Sequence, residues 1–214
     1  MANEVMVHVI DDDEAVRDSL VFMFDAAGLE ARAWESAVAF LAAVHQVEHG
    51  CIVTDVRMPD ITGLELVERL KSLGIADPII VITGHADVPL AVEAMKAGVV
   101  DFIEKPFDNQ RLLGAVRGAL VRAPATGQAD SEAEAAERQQ IRDRIATLST
   151  RERQVLDGLV AGRSNKVIAY DLGISPRTVE IYRANVMTKT GAGSLSDLVR
   201  MALLAELMRP SSEE

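Results

Sequence analysis

The front of the chain alternates short apolar runs with longer amphipathic ones. Strand-like runs lie at 5–10, 30–34, 51–54, 79–83 and 101–104. Helical patterns fall between and after them, at 14–27, 36–44, 63–73, 88–97 and 109–122. Regular alternation of strands and helices indicates βαβ units around a parallel sheet. The first, third and fourth runs are apolar throughout, as in strands buried on both faces. Gly28, Gly74 and Gly98 follow helix ends, where a left-handed cap is common. The expected front domain, 4–122, is therefore an α/β doubly wound unit with a five-stranded parallel sheet.

The pattern breaks at 123–136. Ala123-Pro-Ala-Thr-Gly-Gln-Ala-Asp-Ser131 is small and polar and reads as a linker. From Ser131 onward the residues are good helix formers, so the linker, 123–145, is expected to be partly helical. The rest has no strand signal. Ser149-Thr-Arg-Glu152 is a capping box that opens a helix to about Ala161. Ser164 caps a short helix to Leu172, and Gly173 ends it. Ser175-Pro176 starts a longer one to about Thr190, and Ser194 caps a last helix to about Leu207. A helix, a tight turn at Gly173-Ile174 and a longer helix make a helix-turn-helix arrangement within an all-α four-helix domain at 146–208.

Charge sharpens this division. The 214 residues carry a net charge of −11. The front, 1–122, has a net of −10, and 149–208 has +2. Two domains with different partners fit this asymmetry. The single cysteine, Cys51, excludes an internal disulfide, and no run of about 18 apolar residues suggests a membrane span. The N-terminus lacks the basic region of a signal peptide, so a cytoplasmic location is expected.

The candidate chemistry lies at the ends of the front strands. Asp11 and Asp12 follow the first run, Asp55 the third, Thr83 closes the fourth, and Lys105 closes the fifth. Ligand crevices in open parallel sheets lie outside these carboxyl ends. Three carboxylates, a hydroxyl and an ammonium are thereby expected in one pocket. An all-oxygen site suits magnesium, which keeps several waters and uses one or two carboxylates. Asp12 and Asp55 are the expected direct ligands, with Asp11 acting through water or orienting them. A bare carboxylate attacks an anionic phosphoryl group poorly; a divalent cation (Mg2+ or Mn2+) and Lys105 reduce that repulsion. Thr83 supplies a donor to a phosphoryl oxygen. Each residue alone is more often structural: an Asp pair at a strand end usually caps a helix.

These residues carry a resemblance. Val9-Ile-Asp-Asp-Asp-Glu14, Thr54-Asp-Val-Arg-Met-Pro-Asp60 with Gly63, Thr83-Gly84 and Glu104-Lys-Pro-Phe107 resemble a response-regulator receiver domain. The resemblance implies aspartyl phosphorylation of Asp55 by a sensor histidine kinase. It implies a metal held by Asp12, Asp55 and the backbone carbonyl of Arg57, and a switch pair of Thr83 and Phe102. The segment 82–98 is similar to the FixJ branch. There the helix bearing Val88, Ala91, Val92 and Met95 implies a phosphorylation-dependent dimer face, although such a stripe is ordinarily core. His85 stands in a loop without partner histidines and carries little weight.

Leu148-Ser-Thr-Arg-Glu-Arg-Gln-Val-Leu156, Asn165-Lys-Val-Ile-Ala169 and Ser175-Pro-Arg-Thr-Val-Glu-Ile-Tyr182 resemble the DNA-binding domain of the LuxR/FixJ/NarL family. On the longer helix, Val179, Tyr182 and Val186 share a face expected to be core. Thr178, Glu180, Ile181 and Ala184 point outward toward base edges. Arg177, Arg183 and Lys189, with Lys166, are the expected phosphate contacts. Glu180 is either exposed or accepts from a cytosine amino group.

The reading is a two-component transcription regulator of the FixJ type, a phosphoacceptor rather than an enzyme with a separate substrate. Its implied partners are a sensor histidine kinase, double-stranded promoter DNA, RNA polymerase and a second copy of itself. FixJ resemblance further implies a nitrogen-fixation circuit. The alternatives are a magnesium-dependent aspartyl phosphatase, for which no leaving-group acid or cap is evident, and a ligand-sensing LuxR-type regulator, for which the acidic pocket is unsuited.

Overall fold

The structure is a computed structural model, described here for residues 6–84, 88–122 and 131–206. His85 and the linker residues 123–130 lie outside the described residues. The chain forms two compact units: 6–84 with 96–122, and 88–95 with 131–206 among the described residues.

Ten elements alternate through the front of the chain: β1 (Met6–Ile10), α1 (Glu14–Ala26), β2 (Ala31–Trp34), α2 (Ala37–Ala43), β3 (Gly50–Asp55), α3 (Gly63–Ser72), β4 (Ile79–Thr83), α4 (Val88–Lys96), β5 (Asp101–Glu104) and α5 (Asn109–Arg122). The sheet order is β2-β1-β3-β4-β5, with every pair parallel. The chain begins in the middle of its sheet, so the order reverses between β1 and β3 and opens a crevice there.

β3 and β4 are buried along their whole length, as their unbroken apolar runs require. Val7, Val9, Val53, Ile80 and Ile82 pack with Leu20 and Phe24 of α1 and Leu112 and Val116 of α5. β3 runs one residue further at each end than its apolar run. Gly50 permits this at the start, because a Cβ there would collide with the Met6 backbone of the paired strand.

One polar residue stands inside this apolar frame. His8 is 1% exposed, and its ring lies against Trp34 and Phe40. Trp34 Nε1–H is only a donor, so His8 Nδ1 must accept from it at 3.3 Å. Nε2 therefore carries the proton and donates to the Glu48 carbonyl at 2.8 Å. Both ring nitrogens are satisfied only in the neutral form, and burial lowers the His8 pKa.

The second unit is helical: α6 (Ser131–Ala146), α7 (Thr150–Val160), α8 (Asn165–Leu172), α9 (Pro176–Thr190) and α10 (Leu195–Glu206). Ser149, Ser164 and Ser175 cap α7, α8 and α9, as their positions before the helical patterns predict. Gly173 ends α8 at φ +65. The core joins Leu156, Leu159, Ile168, Val179, Val186 and Leu198.

Residues 131–145 of the linker expected to be partly helical lie in α6, and Ile141 and Ile145 of this helix are buried in the same core. Val88, Ala91, Val92 and Met95, which the resemblance makes a dimer face, are all buried. Apolar residues at helical spacing remove most surface from water when they serve as a core stripe, and these do.

Candidate functional site

Strand register assembles the front site. Ile10 pairs with Thr54, so Asp11 and Asp55 leave neighbouring strands at the same level. Asp55 pairs with Ile82, and Thr83 pairs with Glu104, which brings Lys105 alongside. The Lys105 N–H donates to the Thr83 carbonyl at 2.7 Å, extending that pairing by one bond. The Lys105–Pro106 peptide is cis.

The Lys105 ammonium then bridges two carboxylates. It donates to Asp11 Oδ2 at 2.9 Å and to Asp55 Oδ1 at 2.8 Å. Asp55 Oδ2 accepts from the Arg57 N–H at 2.6 Å, and Asp11 Oδ1 accepts from the Asp13 N–H at 2.9 Å. Asp11 is 2% exposed and Asp55 7%. Burial raises the Asp11 pKa even against the Lys105 bond. For Lys105, burial opposes the charge, but bonds to Asp55 and Asp11 prevail and its pKa is raised.

The neighbours explain why these acids are available. Asp13, not Asp11 or Asp12, is the N-cap of α1, accepting from the N–H groups of Ala15 and Val16. Asp12 is exposed, next in sequence to Asp11. Thr83 is fully buried at the end of β4, and Phe102 is buried on β5. Gly63 opens α3 against the backbone of Asp55, where a Cβ would strike the Asp55 carbonyl oxygen.

The donor set suits a hard cation. Among the described residues, no three His, Cys, Asp or Glu side chains by themselves form a metal-holding group. An ion here would need water, backbone carbonyl or phosphoryl oxygens beside the carboxylates, a mixture that magnesium accepts.

The second site is the α8–turn–α9 pair. The Ser175 hydroxyl accepts the Thr178 N–H at 3.1 Å, which fixes the start of α9. Val179 and Val186 are buried, with Tyr182 packed at the margin of the core. Arg177, Glu180, Ile181 and Ala184 are exposed on α9, Thr178 and Arg183 are half-buried, and Lys166 is exposed on α8. Ile181 is 56% exposed, an apolar side chain left outside the core on this helix. Lys189 is drawn elsewhere: its ammonium donates to Glu152 Oε2 at 2.7 Å.

Three contacts escaped sequence reasoning. His8 gives no signal inside an apolar run. Glu152 is visible as a capping-box residue, but its bond to Lys189, 37 positions away, is not. The guanidinium of Arg144 reaches the Thr190 carbonyl at 3.4 Å, which no local pattern announces.

Residues 7–117 match the response regulator receiver domain, and residues 146–202 match the luxR family of bacterial regulatory proteins. The chain belongs to the FixJ-type response regulators. It is 57% identical over 205 residues to the transcriptional regulatory protein FixJ of Azorhizobium caulinodans, covering 96% of this chain and 95% of that one. It is 41% identical over 198 residues to the response regulator protein TmoT of Ectopseudomonas mendocina, covering 92% and 88%. The crystal structure of full-length FixJ from B. japonicum is 50% identical with a TM-score of 0.55, covering 97% of this chain and all of that one. The chain joins a receiver domain to a LuxR-type DNA-binding domain. No described helix is long and apolar enough to cross a membrane.

Proposed function

We propose that Asp55 accepts a phosphoryl group from a sensor histidine kinase, and that this modification controls binding of the helix-turn-helix domain to promoter DNA. The observation that carries this reading is the Lys105 ammonium held between Asp55 and Asp11 at the carboxyl edge of the sheet. A phosphoryl acceptor needs a carboxylate at the crevice with a cation already in place for the charge that arrives.

In the transfer, an Asp55 oxygen forms the new O–P bond while the N–P bond of the donor's phosphohistidine breaks. The imidazole leaves with the electron pair and is protonated. Lys105, already oriented by its two carboxylate bonds, follows the charge onto a phosphoryl oxygen. The Arg57 N–H stays on the acceptor carboxylate and restricts its rotation. Thr83 stands at the neighbouring strand end, where its hydroxyl donates to the phosphoryl group, and Phe102 on β5 completes the proposed switch. A magnesium or manganese ion held by Asp11, Asp12, Asp55 and the Arg57 carbonyl supplies further charge neutralisation when bound. The chain acts on itself and has no separate substrate.

On α9, Thr178, Glu180, Ile181 and Ala184 face the bases, and Arg177, Arg183 and Lys166 face phosphates. Phosphorylated copies pair on two half-sites and present the promoter to RNA polymerase in the cytoplasm. The names of the FixJ relatives support transcription control; a nitrogen-fixation circuit is the role that the resemblance implies.

The test is direct labelling. The full chain is incubated with acetyl phosphate and magnesium, and its intact mass is measured. The native chain should gain one phosphoryl group and Asp55→Asn none. Labelling that persists in the variant contradicts the assignment.

A further inference from the structure

The last turn of α9 is gripped twice from one short stretch of chain. From the end of α6, the Arg144 guanidinium reaches the Thr190 carbonyl at 3.4 Å, close to where a Cβ on Gly191 would stand. From the start of α7, Glu152 accepts from the Lys189 ammonium at 2.7 Å. Both grips follow from helix chemistry. The carbonyls of a last turn lack intrahelical partners and carry partial negative charge, so a cation is favourable there. Glu152 is fixed at its own end, because it also accepts the Ser149 N–H at 2.7 Å in the capping box. It is 4% exposed, and Lys189 and the Ser149 N–H hold its pKa at about 2.

The rest of the turn is equally tied. Thr190 is fully buried, and its hydroxyl donates to the Val186 carbonyl at 2.8 Å and accepts from the Ala192 N–H at 3.4 Å. Ile141 and Ile145 bury the inner face of α6 in the same core as Val186. α6 is thus anchored by its apolar face and α9 by its last turn, and the segment 144–152 connects the two anchors.

We propose that Arg144 and Lys189 are positioning residues for DNA binding: they hold α9 by its last turn, from the segment that leads out of α6, instead of contacting DNA phosphates. The outward face of α9 is useful only at one orientation to the groove, and a helix held at its base keeps that orientation. The inference rests on the reading of α9 as the DNA-contacting helix.

Salt dependence separates positioning from contact. Each phosphate contact contributes roughly 0.9 to the slope of log affinity against log salt concentration. The probe is a duplex selected from a random-sequence pool by the native full-length chain. Failure to select any duplex would reject the DNA-binding reading itself, before any variant is made. Arg144→Ala and Lys189→Ala should each weaken binding roughly three- to tenfold with the slope unchanged, and Arg144→Lys should recover part of the loss. A slope reduced by about one identifies a phosphate contact and overturns the proposal for that residue. Unchanged affinity overturns it as well. Glu152→Gln decides the matter from the other side. It frees the Lys189 ammonium, so a phosphate role predicts tighter binding and a steeper slope, whereas positioning predicts weaker binding. Circular dichroism at the assay temperature restricts the comparison to folded variants.

Discussion

At the scale of residues, the front site is a set of charges placed where water is scarce. Lys105 stands between two carboxylates, and removing it leaves both without their cation. Lys105→Met should destabilise the chain by about 1–3 kcal/mol at neutral pH, read by urea unfolding. Part of that loss should return in acid, where Asp11, whose pKa burial raises, takes up a proton. His8 gives a second titration. Its folded pKa lies below the ordinary value, so the unfolded chain binds the proton more strongly. Its contribution is complete above about pH 6.5 and declines as the pH falls. Replacing it by His8→Gln should flatten that part of the stability–pH curve, and an unchanged curve would show that His8 does not titrate there. The meeting of Asp11, Asp55 and Lys105 was legible because strand ends are marked by abrupt changes from apolar to polar, and parallel register brings such ends together. His8 was not legible: a histidine within Met6–Ile10 looks like any interruption of an apolar run until Trp34 and the Glu48 carbonyl are seen on its two nitrogens.

At the scale of elements, capping chemistry made the helix starts readable and long-range packing made the rest unreadable. Ser149, Ser164 and Ser175 each accept the expected backbone N–H, and the helices begin where these residues place them. Ser149→Ala should cost about 1 kcal/mol, measured by thermal unfolding. Glu152 adds an acid limb to the same helix. Its folded pKa of about 2 lies below the ordinary value of 4.5. The stability it confers is therefore present above pH 4.5 and lost as the pH falls toward 2; Glu152→Gln should remove that dependence. α4 and α6 mark the limit of pattern reading. The stripe Val88, Ala91, Val92 and Met95 has the same spacing whether it faces core or solvent, and only the fold shows it buried. In α6, polar residues surround Ile141 and Ile145 so completely that its sequence resembles a solvated connector, yet those two side chains bind it to the helical core.

At the scale of the molecule, an acidic receiver is joined to a mildly basic DNA-binding domain. A net charge of +2 over 149–208 gives one copy little electrostatic hold on DNA. In the proposed function, affinity comes from pairing two copies on one duplex, and the state of Asp55 thereby governs occupancy. Phosphorylation should therefore shift the full chain from monomer to dimer in sedimentation velocity, while Asp55→Asn stays monomeric under the same treatment. The most direct test of the whole account is DNA affinity at one fixed salt concentration, measured with and without acetyl phosphate and magnesium, for the native chain and for Asp55→Asn. The account predicts that treatment tightens binding by the native chain about tenfold or more and leaves the variant unchanged. Equal tightening of both, or of neither, would contradict it.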